Sequence, residues 1–377
     1  MSKPSDQTIP FNPSALGSLG VEMEWLTVDQ KTGAQIPAAP AVLSSFDETP
    51  RIKPELFTST IEINTGINQQ TEACVTELAE YYKLVCIPLQ QQGGALLSTG
   101  THPFSHWQDQ EISNDPRYHR LVERLQWTAR RFNIFGIHVH IGMPDGDTCI
   151  AAMNRLLPVI GVFLAISANS PFWRGHDTGL ASSRIKIFEG LSQGGMPFYF
   201  EHWQDFEHCI CRLLATGSID SVRDIWWEMR PHPDFGTLEI RIGDMPVCQA
   251  DTMAYVAYVR AEVLAAVKTE TNENRVHPSL IRENRWRACR YGMLATIIDP
   301  QSESLMPVLQ WLERRLDTLA DNGADAEDLN IVKQRLPYWQ QQGDGAALQR
   351  KLFASYPNQA DMVHALMAQD GWHENDG

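Results

Sequence analysis

The chain has 377 residues, 43% of them hydrophobic, and its 31 Lys and Arg against 46 Asp and Glu give a formal charge of −15. That length can bury a large core in one domain or two, while the acidic balance excludes a nucleic-acid surface, which needs a basic patch. No run reaches the roughly 18 uninterrupted apolar residues of a membrane span, and polar residues 1–13 lack the basic start and apolar run of a secretory signal.

Taken in chain order, residues 1–15 read as a flexible arm and residues 16–377 as a single catalytic domain, with a sheet-bearing core over 16–300. A strand is expected around Gly20 to Trp25, then a Pro/Ala connector over 37–40 and a strand over 55–65. Val75, Leu78, Tyr82, Val85 and Leu89 recur at helical spacing, so residues 71–92 form a helix that Gly93 and Gly94 end. A short strand over 95–99 and a turn over 101–104 lead to a helix over 117–132. After a strand through His138 comes a long helix over 147–167, with an irregular turn at Pro158. Its apolar stretch 156–168 is too short to span a bilayer and reads as buried. A glycine-rich loop (190–197), a helix (203–216), the Glu239 strand and helices over 251–269 and 278–294 follow. Residues 301–377 read as a helical C-terminal cap. The class is α+β. The glycine fingerprints of parallel nucleotide-binding sheets are missing, so an antiparallel sheet with helices on its outer face is expected.

The seven cysteines are odd in number and scattered, with no C-x-x-C pair. Reduced thiols of a cytoplasmic protein fit that pattern. There is no Gly-Lys dipeptide for a phosphate loop, no G-x-G-x-x-G and no H-E-x-x-H. Gly190-Leu-Ser192-Gln-Gly194 matches a nucleophile elbow, but Gly195-Met196-Pro197 follows it where a helix is needed, so Ser192 is not expected to attack anything.

Four segments alternate apolar residues with carboxylates or histidines: Val21-Glu22-Met23-Glu24-Trp25, Ile61-Glu62-Ile63-Asn64, Ile137-His138-Val139-His140-Ile141 and Leu238-Glu239-Ile240-Arg241-Ile242. Period two sends alternate side chains to opposite strand faces. Carboxylates are depleted in strands, so four polar faces of acid and imidazole suggest one sheet surface that holds cations. Glu22 and Glu24 can share a cation or hold two, and carboxylate oxygens suit magnesium or manganese rather than zinc. The bland alternative is a solvated strand edge. Glu55 and Glu62 are seven apart, which on a straight strand places them on opposite faces. A bulge or turn is needed to bring them together. Of His138 and His140, His138 is taken as a ligand and His140 as a hydrogen-bonded wall residue. Glu239 beside Arg241 offers a metal ligand next to a phosphate clamp, or simply a cross-strand ion pair. Arg184, after Ser182 and Ser183, can bind a substrate carboxylate or phosphate, or be structural. Arg230, His232, Asn284, Arg285, Arg287 and Arg290 are further candidates, and most arginines of the 278–294 helix are expected to face solvent.

Taken in order, these pieces resemble the glutamate–cysteine ligase type 2 family, also called carboxylate–amine ligases. The matching stretches are Gly20 to Glu24, Thr60 to Thr65, Gly100 to Phe104, Phe135 to Gly142, Ala181 to Arg184, Arg230 to Arg241 and Asn284 to Gly292. The resemblance implies a glutamine-synthetase-like catalytic fold, whose antiparallel saddle sits over ATP and its metals. It implies that Glu22, Glu24, Glu62, His138 and Glu239 are metal ligands, with Glu55 at a position that is often Asp. Arg241 is placed near the transferred phosphate, with Asn284 and Arg290 as further nucleotide contacts, and Arg184 near a substrate carboxylate. The implied reaction is ATP-dependent amide formation through an acyl phosphate, with γ-glutamyl transfer to cysteine or another amine. The loops at 190–197 and 101–107 are candidate lids, and a homodimer is the expected assembly. The runner-up reading is an amidohydrolase that binds zinc through His138 and His140. A third is a nucleotide-binding protein without catalysis.

Overall fold

In the computed structural model, which describes residues 8–47, 49–269, 275–300, 302–356 and 358–372, seven strands form one antiparallel sheet. They are β1 (Leu19–Asp29), β2 (Ile52–Pro54), β3 (Thr60–Asn64), β4 (Gly94–Leu97), β5 (Ile137–Gly142), β6 (Met229–His232) and β7 (Thr237–Ile240). Their order is β6-β7-β5-β1-β3-β2, with β4 pairing the far end of the long central β1.

One face of this sheet is apolar. Val21, Met23 and Trp25 of β1, Ile61 and Ile63 of β3, Ile137, Val139 and Ile141 of β5 and Leu238 and Ile240 of β7 are all fully buried. They pack against α1 (Thr71–Gln91), α2 (Gly146–Leu156) and α4 (Gln249–Lys268). Between α2 and α4 lies α3 (Ile160–Ser167), joined to α2 by a 3₁₀ turn over Leu157–Val159. Pro158 has no N–H to continue the helical ladder, which accounts for the irregular turn. The combined stretch Gly146–Ser167 is long and apolar enough to cross a membrane, yet 78% of its apolar window is buried inside the protein, as for a core helix.

Helix α5 (Pro278–Tyr291) packs on α3. A two-stranded hairpin, Thr296–Ile298 with Leu305–Pro307, precedes the cap helices α6 (Val308–Asp321), α7 (Ala326–Gln342), α8 (Gly345–Ser355) and α9 (Gln359–Met367). The cap is anchored on the sheet. Trp372 stacks on Tyr82 of α1 and meets Trp25 of β1 edge-on.

Several local expectations need correction. Within the stretch 55–65 only Thr60–Asn64 is a strand, because residues 55–59 form the turn that follows β2. The helix expected over 117–132 splits into Pro116–Leu125 and Trp127–Arg130 at Gln126, whose φ of +50° no helix tolerates. A short helix, Ala39–Leu43, starts inside the expected connector. The arm is docked where it is described: Phe11 packs edge-on against Trp203, and the Asn12 and Ser14 N–H groups donate to the carbonyls of Pro233 and Met143. Residues 1–7 lie outside the described residues.

Arg260 of α4 joins three layers. Its Nη1 lies 2.6 Å from Asp328 of α7 and 3.2 Å from Asp325, Nε donates to the Gly17 carbonyl and Nη2 to the Gln69 carbonyl. Asp328 is 1% exposed, so removing the guanidinium strands a buried carboxylate. Arg260→Met is expected to lower the unfolding free energy by about 3–5 kcal/mol, read by urea denaturation. Adding Asp328→Asn should recover part of that loss.

Candidate active site

Strand register assembles the other face of the sheet. Glu22 lies opposite His138 on one side and Asn64 on the other, and Glu24 lies opposite Glu62. Glu62 faces Lys53, His140 faces Glu239, and Glu239 faces Arg230. Arg241 leaves the end of β7 on the same side. Together these side chains floor an open cleft of about 450 Å³.

Among the described residues two groups of potential ligands close to within 4.8 Å: Glu22, His140 and Glu239, and Glu24, Glu55 and Glu62. The first sits among positive charges. Glu239 Oε2 accepts from Arg230 Nε at 2.7 Å and its Oε1 from Arg241 Nη1. Burial would raise the Glu239 carboxyl, but Arg230, Arg241 and the two histidines hold it well below the usual carboxylate range. Burial likewise opposes ionisation of Glu22, and the His138 hydrogen bond with the nearby His140 imidazole overcomes it. His140 Nδ1 is engaged by the Thr237 hydroxyl at 3.0 Å. Its Nε2 has no hydrogen bond among the described residues and lies 3.6 Å from Glu22 and 3.8 Å from Glu239. A buried imidazole nitrogen aimed at two carboxylates, with its other nitrogen fixed by a hydroxyl, fits a metal ligand.

The second group has less compensation. The turn after β2 carries Glu55 back over β3, where its carboxyl meets Glu62, so a turn supplies what a straight strand could not. Glu24 accepts from the Gly136 N–H at 2.6 Å and Glu62 from Asn64 Nδ2 at 2.8 Å, and Lys53 stands 3.7 Å from Glu62. Burial pushes Glu24 up to about 7 and raises Glu55 and Glu62 as well; the charge of Glu62 adds to the first two, and that of Glu22 to Glu62. Three converging carboxyls that resist ionisation without a cation form an oxygen-only site suited to magnesium or manganese.

The two histidines meet the carboxylates through different nitrogens, His138 through Nδ1 and His140 through Nε2. His138 Nδ1 lies 3.1 Å from Glu22 Oε2 and 3.5 Å from Arg241 Nη1. Burial, then Arg241, pushes it down to about 4. His140 closes the first ligand group with Glu22 and Glu239, and His138 borders the same group, its Nδ1 also standing 4.0 Å from Glu239 Oε1.

Other candidates lie elsewhere. Asn284 is buried away from the cleft, bonding Ile298 through both its amide atoms. Arg290 donates to the Gly179 carbonyl and covers Tyr291. Neither lines the cleft. Arg184 does reach its wall, but its Nη groups donate to the carbonyls of Ile242 and Arg241, and Asp244 lies 3.9 Å away. Ser192 is exposed, with no helix after it. Sequence reasoning undervalued Arg230, the second guanidinium on Glu239, and missed Lys53 and Phe235, which also line the cleft. The Arg230–Glu239 pairing is a register fact; only the nine-residue spacing across a possible hairpin hinted at it.

The family described as glutamate-cysteine ligase family 2 matches residues 18–371. The chain belongs to that family. A relative from Gloeobacter violaceus, named "Putative glutamate--cysteine ligase 2", is 41% identical over 368 residues, covering 96% of this chain and 99% of its own. One of the same name from Bdellovibrio bacteriovorus is 43% identical over 338 residues, 89% of each chain. Among solved structures, a glutamate–cysteine ligase from Francisella tularensis in complex with AMP is similar with a TM-score of 0.71 at 11% identity, covering 97% of this chain and 91% of that one. A bifunctional glutathione synthetase from Pasteurella multocida gives 0.70 at 15% identity, over 93% of this chain and 52% of that one. The glutamine-synthetase-like fold class expected from the sequence is thus the fold of this family member.

The raised carboxyls give this ligase-family site a pH dependence. A carboxyl at about 7 in the folded chain, against 4.5 when free, keeps its proton below that range and must lose it to bind a cation. Thermal stabilisation by magnesium is therefore expected to grow between pH 6 and pH 8, with proton release seen by calorimetry in two buffers. A shift that is flat with pH would remove the protonated carboxyl.

Proposed function

We propose that this protein is an ATP-dependent carboxylate–amine ligase that forms an amide through an acyl phosphate. The observation that carries the reading is the pair of adjoining ligand groups on one rigid sheet face, with Arg241 beside both. The AMP bound in the Francisella ligase supports a nucleotide substrate, and the relatives' names support glutamate as the acid and cysteine, or a related amine, as the acceptor.

Magnesium or manganese, held by Glu22, His140 and Glu239 and by Glu24, Glu55 and Glu62, would neutralise phosphate charge. In the first half-reaction a carboxylate oxygen of the acid attacks the γ-phosphorus of ATP, and the bond to ADP breaks. In the second, the neutral amine nitrogen attacks the acyl carbon, phosphate leaves with the C–O electron pair, and the nitrogen loses a proton. Arg241 faces charge developing on the transferred group. Its Nη1 is anchored on Glu239, while its buried Nε has no hydrogen bond among the described residues, so a fixed cation needs little reorganisation as charge moves. Arg230 keeps Glu239 ionised and oriented. Arg184 holds the Arg241 and Ile242 backbone in place, so it positions Arg241 and does not itself meet the phosphate. Phe132, Phe188, Leu191 and Trp226 line the cleft wall, where apolar side chains limit the water that would hydrolyse an acyl phosphate.

ADP release measured across a panel of acids and amines tests this reading. Glutamate with a suitable amine should give ADP and amide in equal amounts, and hydroxylamine in place of the amine should give a hydroxamate. Glu22→Gln should lower turnover by at least about 100-fold while the thermal unfolding profile is kept. No ADP from any pair, with magnesium present, would overturn the ligase.

A further inference from the structure

A second cavity, of about 520 Å³, adjoins the carboxylate cleft and shares Glu22, Lys53, His140 and Phe235 with it. Its remaining walls include Pro50 and Ile67, and Ile67 is 81% exposed. At the junction stands Phe235, a large apolar side chain left 50% exposed.

Phe235 is not a loosely held surface ring. His232 backs it face to face, with centroids 4.1 Å apart and planes 6° from parallel, and His140 meets it edge-on at 5.7 Å. The backbone that carries it is braced by the N-terminal segment. Asn12 N donates to Pro233 O at 2.9 Å, Asn12 Nδ2 to Asp234 O at 3.2 Å and Ser14 Oγ to Phe235 O at 2.7 Å. The next residue, Gly236, has φ +61°, and a Cβ there would fall 1.7 Å from the Asn12 carbonyl oxygen. Only glycine lets the two segments approach this closely. One face of the ring is thus occupied and its orientation fixed. The exposed half borders an apolar cavity beside the His140 ligand group.

We infer that Phe235 is a stacking platform for the purine base of the nucleotide, and that residues 12–14 position it. This rests on the ligase reading and adds to it the place of the base. A planar ring seated on Phe235 is the occupant that fits, because an aromatic face held rigid offers its largest contact to another flat ring. The base would lie beside Glu22 and His140, so its own phosphates connect it to the carboxylate groups. The N-terminal segment then serves the site, through Phe235, and is not a passive arm.

Calorimetric titration of the magnesium-loaded full chain with a non-hydrolysable ATP analogue and with inorganic tripolyphosphate, which has no base, separates the possibilities. Phe235→Ala should weaken the analogue roughly tenfold and leave tripolyphosphate unchanged, and Phe235→Trp should restore the analogue. Gly236→Ala, which disturbs the brace without touching the ring, should raise the KM for ATP in the same direction while the KM for the acid stays. Equal weakening of both ligands by Phe235→Ala, or no weakening of the analogue, would overturn the platform even in an active ligase. If the wild-type protein binds neither ligand, the ligase reading fails, and this inference with it.

Discussion

Five carboxylates on one face of a single sheet repel one another, and the site is arranged around that repulsion. At the β6–β7 side, Glu239 lies between two guanidinium groups and Glu22 between two imidazoles, so both stay ionised. At the β2–β3 side, Lys53 is the basic side chain nearest Glu62, and Glu24, Glu55 and Glu62 are all raised. Arg184 and Arg241 also act on Glu24, but burial outweighs them. Charge compensation therefore runs as a gradient across the sheet. The end short of positive charge is the end where oxygen ligands alone converge, and divalent cations are the partner that would balance it.

The rest of the molecule keeps that repulsive arrangement in place. Helices on the apolar face fill it with fully buried side chains, so no strand can slip by one residue without exposing its core set. Behind the cleft, Asp244 accepts from the Asn169 N–H and from the Ser170 and Ser182 hydroxyls, and it stands near Arg184. Arg184 in turn holds the carbonyls of Arg241 and Ile242, pressed so close to Gly136 that a Cβ there would fall 2.2 Å from its Nη2. Site side chains held by a second layer of hydrogen bonds keep their geometry when ligands arrive.

Much of the site was legible because period-two alternation is a local signal. Glu22, Glu24, Glu62 and Glu239 each sit between apolar neighbours, and each falls on the expected polar face. Legibility ended where the answer depended on a partner strand. His138 and His140 share a face and look equivalent along the chain. Both reach Glu22 and Glu239; what separates them is that His138 Nδ1 also meets Arg241, while His140 Nδ1 is held by Thr237 and its Nε2 has no hydrogen bond among the described residues. Asn284 and Arg290 lie in a recognisable stretch, yet a helix shows several faces, and theirs points to Ile298 and Gly179. The family profile over residues 18–371 and the recognisable motifs agree on kinship, but kinship does not orient a helix.

By itself the sequence determined the antiparallel sheet, its apolar face and the acidic character of the opposite one, because strand alternation and helix periodicity are written in neighbouring residues. It also carried the family, through motifs kept in order along the chain. Tertiary structure alone decided which neighbours hold each histidine, that Arg230 clamps Glu239, that a turn brings Glu55 to Glu62, and that residues 12–14 brace Phe235. These contacts join Arg230 to Glu239 across nine residues and Ser14 to Phe235 across 221. Their energies depend on register and burial, which no local pattern encodes.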